Sequence, residues 1–323
     1  PRLRKGDRTS VNRLRTAVIG AGYLGRFHAQ KLKKIAAAKL VGICDIDAEI
    51  GKNLARDCNT VYYADHKDLV DKTDAVTIAT STSAHFELAK FFLENGIHVL
   101  VEKPMTETSE QGRNLTALAK TGKLKLQVGH VERFNPALVS ARSQLSCAQF
   151  IECHRLAPFK GRGTDVNVVL DLMIHDLDVI LSLVEGKPSQ VSAVGISVLT
   201  GSVDIANARI EFDTGAVANV TASRASTSMQ RKFRVFQKHQ YLSIDFGTGE
   251  VRLVAHTGNP GEEQPGLQEE SWSLEKGDAL AAEVTAFVNS IVGDTPCVVS
   301  GHDGVVALEL AEEIIADIER RKF

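Results

Sequence analysis

The chain has 323 residues, of which 43% are hydrophobic and 24% charged, and its formal net charge at pH 7 is −2. This length allows two domains with a substantial core, while the near-neutral charge argues against a nucleic-acid-binding protein. No apolar run is long enough for a membrane-spanning helix and the N-terminus lacks the apolar core of a signal peptide, so we expect no membrane association. Five scattered cysteines without a Cys-x-x-Cys pair indicate reduced thiols, no metal site and a cytoplasmic protein.

The first predicted strand, Thr16–Ile19, leads into a glycine-rich loop and a helix. The loop has the spacing Gly-x-Gly-x-x-Gly. Its first glycine permits a tight turn, its second a close approach of the backbone to a pyrophosphate, and its third close packing of the helix on the strand. Backbone N–H groups at the helix start would face the phosphates. The cofactor-binding residues predicted here are Gly20, Gly22, Tyr23, Leu24 and Gly25. The alternative is an ordinary strand-turn-helix.

An acidic residue, Asp45, closes the second predicted strand twenty residues past Gly25. A carboxylate at this position can accept hydrogen bonds from both hydroxyls of the adenosine ribose, whereas it would repel a 2′-phosphate. Ile46 and Asp47 follow, with no Arg or Lys directly after the carboxylate. The pattern therefore favours NAD over NADP as cofactor, against the alternative of a solvated residue at a strand end.

Strands and helices alternate regularly through the first part of the chain. The predicted strands are Thr16–Ile19, Lys39–Cys44, Ala75–Ala79, His98–Val101 and Leu124–Val128, and the predicted helices lie near Arg26–Ile35, Ala48–Asp57, His85–Asn95 and Ser109–Thr121. Such alternation predicts an α/β fold with a doubly wound parallel sheet covered on both faces. We assign this Rossmann domain to residues 13–133.

Antiparallel signals dominate after residue 134. Predicted helices near Pro136–Leu145 and Val168–Val184 flank a strand at Gln149–Arg155, and further predicted strands are Gln190–Leu199, Ala206–Phe212, Val217–Ser223, Lys232–Phe236, Tyr241–Phe246 and Val251–Ala255. An exposed loop at Thr257–Gln268 and helices near Ala279–Val292 and His302–Arg321 complete the pattern. Residues 134–323 are thus predicted to form an α+β domain with a large, mostly antiparallel open sheet. Helices would cover one face, leaving the other for a partner subunit.

Several polar residues follow the ends of the predicted parallel strands, where ligands bind in open α/β sheets. Lys103 lies in Val-Glu-Lys-Pro after the fourth predicted strand, and the alternative for it is an ordinary surface lysine. Thr80 and Ser81 follow the third, near the expected position of the nicotinamide ribose. His85, Glu102 and Lys103 are further candidates for cofactor binding, although Glu102 could instead support Lys103.

A second cluster lies in the helix predicted at Val168–Val184. Asp171 and His175 are four residues apart, which places them on one face of an α-helix. A carboxylate one turn from an imidazole can orient the ring and stabilise its protonated form, which suits a group that takes a proton from a hydroxyl. The alternative is an ordinary ion pair on a helix face.

Taken together, these motifs resemble the Gfo/Idh/MocA family of oxidoreductases. The resemblance rests on the glycine loop, Glu102-Lys103-Pro104, the segment Gly129–Pro136 and Asp171-x-x-x-His175, and it extends over nearly the whole chain. It implies a Rossmann domain followed by an α+β domain whose open sheet mediates homodimers or homotetramers. It also implies that Lys103 and His175 lie at the reacting carbon of the substrate with Asp171 nearby, and that the Lys103–Pro104 bond is often cis.

Within this family, the segments around Gly129–Pro136, His154-Arg155 and Gly161–Asp165 are most similar to UDP-N-acetylglucosamine 3-dehydrogenases. Arginines can bind a diphosphate through paired hydrogen bonds. We therefore expect substrate contacts from Lys103, Arg133, Asn135, Arg155, Arg162, Asp171 and His175. Ordinary structural salt bridges are the alternative for the arginines, and we expect at least one of the three to be only that.

The expected reaction is NAD-dependent oxidation of a secondary hydroxyl of a nucleotide sugar to a ketone, with the 3-hydroxyl of UDP-N-acetylglucosamine or a derivative as target. His175 is the preferred base and Lys103 the alternative, because a buried lysine with a lowered pKa can also accept the proton. Two other functions stay open at this point. One is a dehydrogenase of a free sugar or polyol such as an inositol, and the other is a non-catalytic NAD-binding sensor.

Overall fold

A computed structural model describes residues 13–159, 166–257, 266–275 and 277–321. The strands are β1 Leu14–Ile19, β2 Ala38–Cys44, β3 Val61–Tyr63, β4 Ala75–Ile78, β5 His98–Glu102, β6 Leu126–Gly129, β7 Phe150–Leu156, β8 Pro188–Ile196, β9 Ile205–Phe212, β10 Val217–Ser223, β11 Gln230–Gln237, β12 Gln240–Asp245, β13 Glu250–His256 and β14 Leu267–Ser273. The α-helices are α1 Tyr23–Leu32, α2 Ala48–Cys58, α3 Thr82–Glu94, α4 Ser109–Gly122, α5 Pro136–Ala141, α6 Ile174–Leu183, α7 Ala279–Val292 and α8 Gly301–Arg320. None of the helices described is both long and apolar enough to span a bilayer.

The first sheet has six parallel strands in the order β3-β2-β1-β4-β5-β6. This is the strand order of a doubly wound dinucleotide-binding fold, and it confirms the predicted Rossmann architecture. The order reverses between β1 and β4, which opens a crevice at the carboxyl ends of these strands. The strand β3 was not predicted, because it has only three residues and none of them is fully buried.

The second sheet has the order β14-β13-β12-β11-β7-β10-β9-β8, and only the pair β7 and β10 is parallel among the strands described. The prediction of a large, mostly antiparallel sheet is therefore confirmed. Helices α6 and α8 pack against one of its faces. The strand β14 corrects the prediction of a loop reaching Gln268: most of its side chains are polar and exposed, as on an edge strand, so no hydrophobic alternation marks it.

Two helices of the second region differ from the prediction. The helix expected at Pro136–Leu145 ends at Ala141 and continues as a short 3-10 turn. The helix expected at Val168–Val184 begins with a π-helical segment, Val169–Met173, before α6. A π-helical turn bonds residue i to i+5 and recurs at functional sites. It changes the surroundings of Asp171, as described below.

The helix α7, which follows the second sheet, packs on α1 of the Rossmann domain. Its residues Val284 and Phe287 are fully buried in one cluster with Val18 and Leu32. The chain therefore returns to its first half after completing the second sheet. The domain boundary between residues 133 and 134 stays a prediction. The helix α7 lies on the C-terminal side of this boundary in sequence, but it packs into the core of the first domain.

Candidate active site

A cavity of about 680 Å³ lies at the carboxyl ends of β1, β2 and β4. Gly20 and Gly22 line it. Gly20 has φ +95°, and a Cβ on this residue would lie 2.5 Å from the carbonyl oxygen of Ala79. A Cβ on Gly22 would meet nothing within 4 Å, so its backbone is open to the cavity. The loop therefore has the shape that a pyrophosphate requires.

The other predicted loop residues, Gly25, Tyr23 and Leu24, have different structural roles. A Cβ on Gly25 would lie 1.8 Å from the carbonyl oxygen of Gly20, so only glycine allows α1 to pack this closely on the loop. Tyr23 and Leu24 begin α1 with exposed side chains, which do not line the cavity. Any contribution they make to cofactor binding comes from their position at the helix N-terminus.

Asp45 lines the same cavity at the end of β2. Its carboxylate accepts hydrogen bonds from the backbone N–H of Ala21 at 2.5 Å and of Asp47 at 2.8 Å, which fix its orientation. Asp65 and Glu87 also line the cavity, and no Lys or Arg of the residues described does so. An acidic lining suits uncharged ribose hydroxyls and opposes a 2′-phosphate, so the cavity fits NAD.

Thr80 and Ser81 line the cavity beyond β4, as predicted, but His85 does not. The imidazole of His85 is buried, with Nδ1 2.9 Å from the carbonyl oxygen of Pro104 and Nε2 3.2 Å from that of Thr80. The predicted cofactor contact is corrected here: α3 begins at Thr82, and its first turn directs His85 inward. The ring links the loop after β4 to the loop after β5.

Lys103 follows β5 and joins the two halves of the molecule. Its bond to Pro104 is cis, as the family resemblance implied. The ammonium donates to the backbone carbonyl oxygen of Asp171 at 2.7 Å and lies 3.7 Å from the carboxylate of the same residue. Burial lowers the pKa of Lys103, and this exceeds the opposite effect of the Asp171 and Glu102 charges. The ammonium is therefore held beside the helix that carries His175.

Glu102 is buried behind this lysine and does not line the cofactor cavity. Its carboxylate accepts from Nε2 of His28 at 2.8 Å and from the backbone N–H of Lys103 at 3.3 Å. Burial raises the pKa of Glu102, but the His28 hydrogen bond and the charges of His28 and Lys103 outweigh this and lower it overall. Of the two predicted alternatives, the geometry matches support of Lys103, and a direct cofactor contact of Glu102 stays a prediction.

His175 begins α6 after the π-helical segment, and its side chain is partly exposed. Nδ1 of the ring is buried without a partner, and neither ring nitrogen forms a hydrogen bond to Asp171 within the part of the chain described. The predicted orientation of the imidazole by Asp171 is therefore wrong. The spacing argument assumed an α-helix, whereas the chain is π-helical at Asp171 and presents this residue to Lys103.

The electrostatic surroundings of His175 determine its protonation state. Burial lowers the pKa of His175 well below its ordinary value, and the positive charges of Lys103, Arg155 and Arg231 act in the same direction. The imidazole is therefore neutral at pH 7, with a lone pair available for a proton. Because the charge of Lys103 contributes to the lowered pKa of His175, the ammonium and the imidazole are close enough to interact electrostatically.

Arg155 is a buried structural residue, contrary to the predicted substrate contact. Its guanidinium donates to Asp176 at 2.9 and 2.7 Å and to Glu132 at 2.9 Å. All three side chains are at most 7% exposed. Such a bidentate, fully buried network leaves no open face for a diphosphate. It fixes β7 to the start of α6 directly after His175.

Two further residues with predicted substrate roles have structural contacts. Arg133 is 8% exposed and lies 3.5 Å from Asp178 and 3.9 Å from Asp303, which ties it to α6 and α8. Asn135 caps α5 by accepting from the N–H of Ala137, and its amide donates to Glu132. The alternative of structural salt bridges thus holds for Arg133 as well as Arg155, while Arg162 lies outside the described residues.

One arginine near the site was missed by the sequence analysis. Arg231 of β11 has a side chain 41% exposed and reaches Glu132 only at 3.8 Å, where Arg155 already makes the shorter contact. It lines a cavity of about 330 Å³ together with Phe246. Arg231 alternates with Phe233 and Val235 along the strand, and this pattern places the arginine on the same sheet face as these two buried residues. The predicted strand began only at Lys232, so the pattern was not recognised.

The comparisons with known proteins agree with this geometry. Residues 14–130 match the model of the Gfo/Idh/MocA oxidoreductase family with an NAD-binding Rossmann fold, and residues 151–242 match the C-terminal domain of that family. The chain belongs to the Gfo/Idh/MocA family. The resemblance drawn from the motifs is confirmed, and this member of the family is an NAD-dependent oxidoreductase.

Several relatives match most of the chain. The UDP-N-acetylglucosamine 3-dehydrogenase of Acidithiobacillus ferrooxidans is 37% identical over 95% of this chain and 97% of its own. A solved structure of that enzyme is similar with a TM-score of 0.90 over 95% of this chain and 98% of that chain, at 36% identity. The scyllo-inositol 2-dehydrogenase (NAD(+)) of Bacillus subtilis is 30% identical over 67% of this chain and 68% of its own.

Proposed function

We propose that this protein oxidises a secondary hydroxyl of a nucleotide sugar to a ketone, and that its substrate is UDP-N-acetylglucosamine or a derivative, oxidised at the 3-hydroxyl. The relative with that activity is similar along nearly the whole chain. The inositol 2-dehydrogenase of Rhizobium meliloti, a dehydrogenase of a free polyol, is 24% identical over 96% of this chain. This difference favours the nucleotide sugar.

The observation that carries the proposed chemistry is the contact between Lys103 and Asp171, because it brings the loop after β5 to the start of the His175 helix. When bound, NAD supplies carbon 4 of its nicotinamide as the hydride acceptor. Neutral His175 takes the hydroxyl proton. Lys103, held by Asp171, donates a hydrogen bond to the same oxygen and stabilises the negative charge that develops there.

Lys103 is the alternative base, since its pKa is lowered by burial. Two features favour His175. The Asp171 carboxylate lies 3.7 Å from Nζ of Lys103, and a negative charge at that distance favours the charged ammonium, which has no lone pair to accept a proton. His175 has no hydrogen-bonded partner among the described residues, and burial together with the surrounding positive charges lowers the pKa of its ring, which keeps it neutral. The imidazole of His175 therefore acts as the base, and the ammonium of Lys103 stabilises the negative charge on the oxygen.

Arg231 is the residue that we assign to the diphosphate. Its guanidinium is exposed, only weakly engaged by Glu132, and close enough to His175 to lower the pKa of the imidazole. Phe246 lines the same cavity and offers an aromatic surface. A charged diphosphate gains paired, charge-assisted hydrogen bonds from such an arginine, whereas a free polyol does not.

The open face of the second sheet supports a homodimer or homotetramer. Phe150, Phe236 and Tyr241 form a row across three strands on this face, with ring centroids 5.5 and 5.4 Å apart. Large apolar groups on an uncovered sheet face are typical of subunit interfaces. The five cysteines are unpaired, and this supports a cytoplasmic location.

The substrate proposal is tested by measuring NADH formation with UDP-N-acetylglucosamine and, in parallel, with N-acetylglucosamine and myo-inositol. An aminotransferase that consumes the keto product removes it from an unfavourable equilibrium. We expect NADH only with the UDP-sugar, together with tight binding of UDP in calorimetry. Turnover of myo-inositol without any binding of UDP would contradict the substrate class.

A further inference from the structure

A buried cluster of ionisable side chains lies behind Lys103, away from the cofactor cavity. His28 of α1, Glu102 of β5 and Glu283 of α7 each place one nitrogen or oxygen atom within 4.8 Å of the others. His28 and Glu283 are completely buried, and Glu102 is 7% exposed. Glu283 reaches this cluster from a helix that follows the second sheet, although the other two residues belong to the Rossmann part.

The hydrogen bonds of the cluster are unevenly distributed. Both oxygens of Glu102 are engaged, one by His28 and one by the backbone N–H of Lys103. Both oxygens of the Glu283 side chain are buried with no hydrogen-bond partner among the residues that the structure describes. Gln127 of β6 donates to the backbone carbonyl oxygen of Glu283, and the side-chain oxygen of Gln127 is also buried without a partner in the ranges described.

The electrostatic interactions of the cluster determine whether Glu102 and Glu283 are both ionised or only one of them is. Two negative charges buried within 4.8 Å would repel each other strongly, and burial penalises each of them. Glu102 has the partners that stabilise a carboxylate, His28 and Lys103. Glu283 has no such partner in the described part of the chain. Burial raises the pKa of Glu283 well above its ordinary value, and the charges of Glu102 and Asp178 act in the same direction.

We propose that Glu102 and Glu283 hold one proton between them at neutral pH, with Glu283 as the neutral carboxylic acid and Glu102 as the single carboxylate behind Lys103. Glu283 is then a positioning residue that acts through Glu102. As a neutral acid it offers an O–H donor to the cluster and leaves one negative charge beside the lysine. A second carboxylate there would alter the field at the ammonium, and so the inference concerns the reaction without depending on which sugar is oxidised.

Infrared spectroscopy of the intact protein without substrate tests this directly, because a protonated carboxyl group absorbs at a higher frequency than a carboxylate. We expect the band of a neutral carboxylic acid at pH 7. Labelling the carboxyl carbon of glutamate with ¹³C should shift this band, which separates it from the buried Asp176 and Asp178. Glu283→Gln should remove it, whereas the matched control Glu110→Gln, at an exposed position of α4, should leave it in place.

Kinetics gives a second readout. Glu283→Gln keeps a neutral hydrogen-bond donor, so we expect kcat/KM within about threefold of the unmodified enzyme, while Glu283→Met lacks the donor and should lower it by about tenfold. Absence of a ¹³C-sensitive band at pH 7, its survival in Glu283→Gln, or a stoichiometric metal ion lost in that variant would overturn the proposal. If Glu283→Gln fails to fold, the labelled band of the unmodified protein decides: the proposal requires the band to be present at pH 7, well above the usual glutamate pKa.

Discussion

Replacing Arg155 with methionine distinguishes a structural arginine from a substrate ligand. Arg155→Met removes three hydrogen bonds, of 2.9, 2.7 and 2.9 Å, and leaves Asp176 and Glu132 buried and facing each other. Removing one partner of a buried ion pair costs about 3–5 kcal/mol of unfolding free energy, because the remaining charge is uncompensated. For a chain of 323 residues that corresponds to a fall in Tm of roughly 4–7 °C.

Scanning calorimetry measures this loss, and Arg234→Met is the matched control. Arg234 pairs with Glu152 at 3.0 Å on the open face of the sheet, where both side chains are substantially exposed. A pair of this kind contributes about 0–1 kcal/mol, so the control should change Tm by only about 2 °C. An Arg155→Met protein with unchanged Tm and a strongly raised KM for the UDP-sugar would refute the structural assignment.

The destabilisation of Arg155→Met should also depend on pH. Burial already raises the pKa of Asp176 in the native protein, against the opposing charge of Arg155. Without Arg155 the folded-state pKa rises further above the unfolded value, so the folded variant binds an additional proton more readily at low pH. The loss of stability relative to the unmodified protein should therefore be smaller at pH 5 than at pH 8. A loss that grows on acidification would contradict this account.

Three further predictions concern the site itself. Arg231→Gln should raise the KM for the UDP-sugar by roughly tenfold or more with little change in the Kd for NAD, as loss of a charge-assisted diphosphate contact requires; an unchanged KM rules out the assigned role. The kcat/KM profile should stay flat from pH 8 through pH 6.5, the ordinary histidine pKa, and fall only at lower pH, since the pKa of His175 is lowered well below that value; a continuous rise above pH 7 would instead identify Lys103 as the base. Asp45→Ala should weaken NAD binding and improve that of NADP, measured by calorimetry; unaltered preference would show that this carboxylate does not select the cofactor.

The features that could be predicted from the sequence are those determined locally. The glycine loop needs particular backbone geometry within a few residues of β1, and Asp45 follows at a spacing set by one strand-helix-strand unit. Lys103 is directed to the crevice because it follows a parallel strand. These positions depend on the order of helices and strands along the chain, and hydrophobic periodicity predicts that order.

The partners of the charged residues could not be predicted in the same way. Arg155 was expected to bind substrate, because a sequence shows an arginine but not the buried carboxylates that β7 and α6 bring to it. Asp171 was expected to contact His175, since the spacing was interpreted with α-helical geometry and the π-helical turn has no clear sequence signal. The burial of Glu283 could not be predicted, because α7 has the pattern of an ordinary apolar helix, in which a single glutamate is expected to lie on the exposed face.

The central claim is that Lys103 and His175, contributed by the two halves of the molecule, act on one hydroxyl beside the bound cofactor. The most direct measurement is turnover of UDP-N-acetylglucosamine by Lys103→Ala and His175→Ala, with the Kd for NAD determined on the same preparations. The account predicts that kcat falls by roughly a hundred- to ten-thousand-fold in each variant while the NAD affinity is retained. Turnover at the level of the unmodified enzyme in either variant, with NAD still bound, would contradict it.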